Sequence, residues 1–151
     1  MYIIENKIEI QCSAQALFNY VTQPWLWHEW HPNSISATEN PNGLKVGDTF
    51  QEMIRLKPLD PLPVIFNRET SYTVLVSQPD TQWIVEGKTN NGALRIQYDF
   101  EKISENRVLF KRTLSFKVEG HLRAMSYFLV KNMKKTSVIA LDNLKKKLSD
   151  A

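Results

Sequence analysis

Only one cysteine, Cys12, occurs in the sequence, so neither an intrachain disulfide nor a cysteine-based metal site can form. No apolar run approaches the roughly 20 residues that a membrane-spanning helix needs, and we therefore expect no integral membrane segment. The first residues also lack a basic segment followed by an apolar core, which predicts that there is no signal peptide. Together these absences favour a cytoplasmic protein.

The excess of positive over negative charge is small as well, because the net charge at pH 7 is only +3. Much of the basic excess falls on a segment that we predict to be helical, at Lys131, Lys134, Lys135, Lys145, Lys146 and Lys147. A solvated helix face explains these lysines, and the alternative is a phosphate-binding face. The sequence lacks the dense basic stripe that is typical of nucleic-acid-binding proteins, so we expect no nucleic-acid partner.

The bulk composition is that of a folded chain. Hydrophobic residues make up 42% and charged residues 23% of the 151 positions, which excludes disorder and permits a sizeable core. Because the sequence shows no internal repeat and no linker, we predict a single domain over residues 1–151. The sequence leaves the oligomeric state open between a monomer and a weak dimer.

The order of apolar patterns predicts the fold class. Alternation and turn residues predict strands over residues 2–11, 35–39, 48–56, 68–77, 82–88, 94–103 and 108–118. Two short helices, 14–22 and 25–30, follow the first strand, and Ser13 is the expected N-cap. After Gly120, apolar residues recur at three- and four-residue spacing and predict a long helix over 121–148. The prediction is therefore an α+β sandwich, with one antiparallel sheet covered by a helix.

This order resembles the helix-grip fold of the START-like (SRPBCC) superfamily, and in particular its polyketide cyclase/dehydrase and lipid-transport branch. The resemblance also rests on local residues: Ser13-Ala14 before Leu17 to Val21, Trp27 with Trp30 and Pro32, and the turn Leu44 to Asp48. It implies a curved sheet of about seven strands around the C-terminal helix, with a cavity between them for a small hydrophobic molecule. Some members of the superfamily are enzymes and many only bind.

Strand alternation predicts which side chains would line such a cavity. The set is Trp30, Phe50, Glu52, Ile54, Tyr72, Val74, Trp83, Val85, Ile96, Tyr98, Phe110, Arg112, Leu114, Met125, Leu129 and Met133. The alternative is that these residues form an ordinary core. Glu52 and Arg112 stand out, because a buried charge is costly unless it is paired. They either pair with each other, hold the polar end of a ligand, or point outward because of a register error.

The histidines predict no metal site. His28 and His31 are one residue too close for the His-Glu-x-x-His zinc motif, and no third ligand is evident. We expect both histidines at the surface or capping a turn, and we predict neither a metal nor a cofactor.

In a run of antiparallel strands, alternate turns lie at the same end of the sheet, and this predicts where the cavity opens. The loop at 58–63, the turn at 90–92 and the chain at 120–121 should lie at one end of the sheet, where the longer loop could act as a lid. The leading functional hypothesis is a carrier or sensor of a small hydrophobic ligand. The alternatives are a cyclase, dehydratase or isomerase that uses Glu52, Tyr72, Tyr98 or Arg112, and a protein-interaction module like a chaperone cofactor.

Overall fold

The structure is a computed structural model that describes residues 1–57, 62, 65–89 and 92–149, and only the backbone at 121 and 122. Within these ranges the chain forms seven strands: β1 (Tyr2–Ile10), β2 (Ser34–Ala37), β3 (Thr49–Leu56), β4 (Phe66–Gln78), β5 (Gln82–Thr89), β6 (Gly92–Ser104) and β7 (Arg107–Val118). They form one antiparallel sheet in the order β1-β7-β6-β5-β4-β3-β2. The predicted α+β class and the strand count are thus confirmed.

The two short helices differ in type. Helix α1 (Ala14–Val21) begins where the Ser13 hydroxyl accepts a hydrogen bond from the Ala16 backbone N–H at 3.0 Å, as a serine N-cap does. The second segment, Pro24–Glu29, is a 3-10 helix that starts on its proline. It places Trp27 inside the molecule, where the indole N–H donates to the Val21 carbonyl at 2.8 Å.

The long C-terminal helix starts later than the sequence pattern predicts. Helix α2 spans Ser126–Ser149, and the preceding turns, Gly120–Met125, are a 3-10 helix and not α-helix. Glu119, at the N-cap of this segment, makes no side-chain capping bond, and tighter 3-10 turns are common at such a start. From Leu129 onwards the inner face of α2 packs on the sheet, which is the helix-grip arrangement. No helix in the described ranges is both long and apolar enough to cross a bilayer.

The sheet face that the helices cover is divided between them. Trp27 packs on one part of it, with its ring centroid 5.8 to 6.4 Å from those of Phe50, Trp83, Tyr72 and Tyr98. Next to these rings, α1 contributes Phe18, which packs on Phe100. Helix α2 covers the remaining part, nearer the ends of β3, β6 and β7. Aromatic packing therefore fills one part of the covered face, and any space for a ligand must lie under α2.

Candidate functional site

An internal pocket of about 50 Å³ lies between α2 and strands β3, β4, β6 and β7. Several of the residues expected to line a cavity do line this pocket: Trp30, Glu52, Ile54, Tyr72, Ile96, Tyr98, Arg112, Leu114 and Met133. One water molecule needs about 10–15 Å³, so the pocket is only a few water molecules in size. The pocket therefore has room for a chemical group of a few atoms without any movement of its walls.

Other expected residues do not reach this pocket, although the structure describes all of them: Phe50, Val74, Trp83, Val85, Phe110, Met125 and Leu129. The strand residues of this group are buried in the core. Trp27 lies against Phe50 and Trp83, and Phe110 packs on the Phe100 ring at 5.3 Å. Trp27, from the connecting 3-10 helix, thus covers Phe50 and Trp83. Leu129 and Met125 instead belong to a separate apolar cluster with Leu56.

A second space of about 50 Å³ continues from the first towards one end of the sheet. The two share the side chains of Ile54, Leu56, Leu94 and Met133, and the second is also lined by Leu129. Its other walls include the strand ends at Thr89, Gly92 and Val118. The segments predicted to flank a mouth here, 58–61 with 63 and the turn residues 90–91, lie outside the described residues. An opening beside them stays a prediction.

Glu52 is a buried acid inside the pocket. On β3 it lies an even number of positions from Phe50 and Leu56, so its side chain points to the same covered face of the sheet. It is only 4% exposed. Its carboxylate accepts hydrogen bonds from the Ser34 hydroxyl at 2.7 Å and the Tyr72 hydroxyl at 3.2 Å. Burial raises the pKa of Glu52 to about 7, although these two bonds and the Arg112 charge act in the opposite direction. Glu52 is therefore placed to bind and release a proton near neutral pH.

Arg112 is the only cation among the described residues that line the pocket. It sits on β7 between Phe110 and Leu114 and is 5% exposed. One guanidinium nitrogen, Nη1, donates to the Ser137 hydroxyl at 3.2 Å, whereas Nε has no hydrogen-bond partner in the part of the chain that the structure describes. Glu52 and Arg112, both in the described part of the chain, have no N–O contact within 4.0 Å and hence no direct salt bridge. Both charges thus face inward without contacting each other.

His31 lines the pocket, which the sequence did not predict, although its side chain also caps a turn as expected, while His28 is exposed. Its Nδ1 accepts a hydrogen bond from the Asn33 backbone N–H at 3.1 Å, so in the neutral ring the proton lies on Nε2. Burial, and then the Arg112 charge, hold the pKa of His31 well below its usual range. The imidazole is therefore neutral at pH 7. Among the described residues no group of three His, Cys, Asp or Glu side chains is placed to hold a metal ion.

The polar side of the pocket includes residues that the sequence analysis did not select. Ser137 on α2 is buried, and its hydroxyl accepts the hydrogen bond from Arg112. The Thr136 hydroxyl accepts a hydrogen bond from the Asn33 side-chain amide at 3.0 Å. Ser137 lies four residues after Met133 and therefore on the same helix face. That spacing was a usable signal, although a serine on a helix face commonly points to solvent.

Tyr72 and Trp30 complete the polar groups of the site. The pKa of Tyr72 is raised well above its usual range, first by burial and then by the Glu52 charge. Its hydroxyl therefore stays protonated and donates a hydrogen bond to the Glu52 carboxylate. Trp30 is 1% exposed, and its indole N–H lacks an acceptor among the described residues. The pocket thus combines apolar walls, one acid that accepts a hydrogen bond on each oxygen, and two buried donors that the described residues leave unpaired.

A sheet that grips a long C-terminal helix around a partly polar internal pocket defines the helix-grip class of proteins. A family model described as "Polyketide cyclase / dehydrase and lipid transport" matches residues 1–149. The chain belongs to this family, which confirms the resemblance noted in the sequence.

Solved structures show the same fold at low sequence identity. A START superfamily protein from Mycobacterium smegmatis is 11% identical, with a TM-score of 0.72 over 98% of this chain and 99% of that one. A conserved protein from Geobacillus kaustophilus is 13% identical, with a TM-score of 0.73 over 99% and 96% of the two chains. A hypothetical protein from Helicobacter pylori reaches 0.74 at 13% identity, covering 97% and 88%. No functionally curated protein matches the chain significantly.

Proposed function

We propose that this protein binds a small, mainly apolar molecule in the pocket between its sheet and α2. The observation that carries the proposal is the pocket's composition: walls of Ile54, Leu94, Ile96, Leu114 and Met133, interrupted by a few buried polar groups. Ligand sites are commonly apolar with a small number of placed polar groups that orient the ligand. Membership in a cyclase and lipid-transport family supports the same function.

The size of the pocket restricts how binding can occur. Drug-sized ligands occupy sites of roughly 300–1,000 Å³, whereas each of the two connected spaces measures about 50 Å³. Met133 lines both spaces, and an unbranched methionine side chain changes its rotamer readily. We infer that a ligand larger than a few atoms enters by displacing Met133, which joins the two spaces into one elongated site.

Displacement of Nile red, a neutral apolar dye whose fluorescence depends on its environment, tests this function. The dye should bind the wild-type protein and be displaced by medium-chain alcohols. Met133→Trp should weaken dye binding, because the larger indole fills the connection between the two spaces. Val138→Trp is the matched control, since Val138 lies on the same helix but is 50% exposed, and it should bind like wild type. Lack of dye binding by the wild type, or equal binding by both variants, would contradict the proposal.

A second candidate function is acid–base catalysis on a carbonyl compound, as in a cyclase, dehydratase or isomerase. It is favoured by the pKa of Glu52, which burial raises to about 7, because general acid–base groups work best with a pKa near the working pH. In this case Glu52 would remove a proton beside the carbonyl group, and Arg112 would stabilise the resulting oxyanion. Deuterium exchange into the acidic C–H positions of a β-diketone, followed by NMR, tests this. Exchange should be lost in Glu52→Gln, and equal rates with and without protein would exclude it.

A further inference from the structure

The pocket has buried hydrogen-bond donors that its own residues leave unpaired. Each carboxylate oxygen of Glu52 already accepts one hydrogen bond, from the Ser34 or the Tyr72 hydroxyl. In contrast, Arg112 Nε and Trp30 Nε1 are buried donors with no acceptor among the described residues, on side chains that both line the pocket. A buried donor without a partner costs free energy. A ligand that satisfies these groups must therefore bring acceptor atoms.

The charge balance restricts the chemistry of that acceptor. Arg112 makes no ion pair with any residue that the structure describes, and the hydroxyls that hydrogen-bond to it, those of Ser137 and Tyr98, are neutral. The nearest opposite charge in the pocket is that of Glu52, which interacts with Arg112 across the space without contact. Arginine binds carboxylates better than neutral acceptors, through charge-assisted hydrogen bonds. A ligand carboxylate would therefore be the strongest complement of this cation.

Building on the proposed function, we propose that the ligand is a small apolar carboxylic acid, whose carboxylate binds Arg112 and replaces Glu52 as the counter-charge, so that Glu52 takes up a proton. Two carboxylates and one guanidinium in a buried space leave one negative charge unbalanced, which is costly. Protonation of Glu52 removes that charge. The buried position of Glu52, with a pKa already near neutral, makes this uptake inexpensive.

The other titratable groups of the pocket do not provide this proton site. Besides Glu52 and Arg112, the titratable side chains lining the described pocket are His31 from the chain before β2, Tyr72 on β4 and Tyr98 on β6. Burial raises the pKa of both tyrosines, so they are already protonated. Burial and Arg112 hold the pKa of His31 low, which opposes protonation. Helix α2 contributes only Met133, Thr136 and Ser137.

Calorimetric titration of the wild-type protein with octanoate and with 1-octanol tests the proposal. The two probes share an apolar body, and octanoate remains ionised from pH 6 to 8, since aliphatic acids have a pKa near that of glutamate, about 4.3. At pH 6, octanoate should bind about tenfold more tightly than octanol, as expected for a hydrogen bond to a charged group. Its affinity should fall by up to about tenfold between pH 7 and 8. Titrations in two buffers of different ionisation enthalpy should show uptake of nearly one proton at pH 8.

Three variants separate the roles of the two charges. Arg112→Gln should lose about tenfold in octanoate affinity and change octanol affinity little. Arg95→Gln, on the exposed side of β6, is the matched control and should bind both probes like wild type. Glu52→Gln should bind octanoate without proton uptake and without pH dependence. Should Arg112→Gln fail to fold, the wild-type comparison of the two probes decides the question alone.

The failure of this inference differs from the failure of the proposed function. Equal affinities for octanoate and octanol, or no octanoate binding while Nile red binds, overturn the carboxylate assignment and leave apolar binding intact. Proton uptake that persists in Glu52→Gln overturns the role of Glu52. Failure of both probes and of Nile red overturns the proposed function itself.

Discussion

The protonation of Glu52 should make the stability of the protein depend on pH in a specific direction. Burial raises its pKa from 4.5 to about 7 in the folded state. Because the folded state holds this proton more tightly than the unfolded state, the contribution to stability is fully present below pH 4.5 and is lost as the pH rises through 7. At about 1.4 kcal/mol for each pH unit, the loss is about 3 kcal/mol.

The measurement is the free energy of unfolding by urea at several pH values from 4 to 8, for the wild type and for Glu52→Gln. The difference between the two proteins should change by about 3 kcal/mol across this range, with the wild type losing stability relative to the variant as the pH rises. The comparison cancels the contribution of His31, whose lowered folded pKa acts in the opposite sense: its stability is lost as the pH falls below 6.5.

Glu86→Gln is the matched control, because Glu86 lies on the exposed side of β5 with its side chain 53% exposed. It shows what removing one solvent-exposed carboxylate does to the unfolding curve. If the Glu52→Gln difference changes with pH no more than this control, then Glu52 is not a buried acid near neutral pKa, and both the catalytic candidate and the proton-uptake inference lose their basis.

Three further substitutions test the packing of the site. Gly87→Ala should destabilise the protein by about 1–3 kcal/mol in urea unfolding, because a Cβ there would lie 2.6 Å from the Tyr72 ring; a neutral result would show that the ring moves freely. Leu129→Asp should cost several kcal/mol, since Leu129 is buried, whereas Val138→Asp on the exposed face should be nearly neutral, and similar thermal melts would contradict this. Trp27→Ala should cost about 3–5 kcal/mol and increase Nile red binding by opening the filled part of the sheet face; unchanged dye binding would be inconsistent with that filling.

Much of the fold could be predicted from the sequence because its signals are local. Alternating apolar residues and the turn chemistry between them determine the strands, and the Leu129 to Ala140 spacing indicates the helix that grips the sheet. The onset of α2 was harder to predict, because apolar residues three positions apart lie on one face in a 3-10 turn and in an α turn alike. The differences of one or two residues at strand ends have a similar cause, since ladder bonds and not residue types end a strand.

The site was less predictable because its occupancy depends on tertiary packing. Alternation identifies Val85 as facing inward, but only the structure shows that Trp27 and its aromatic neighbours fill that part of the sheet face. Tertiary packing also decides the position of His31, which comes from a connecting segment and lines the pocket, whereas His28 is exposed. The inward positions of Glu52 and Arg112 were foreseeable from β3 and β7 alone, whereas the absence of contact between them was not.

That absence of contact bears on why the two charges are buried at all. Burying an acid and a base costs several kcal/mol for each ion, and replacing a buried ion pair by apolar residues is often neutral or stabilising. Here Glu52 and Arg112 do not gain even a direct salt bridge, and no described residue offers an acceptor to Arg112 Nε or Trp30 Nε1. Their contribution to stability therefore cannot explain this arrangement. A ligand that brings acceptor oxygens to these donors can explain it, because binding then satisfies the groups that folding leaves unsatisfied.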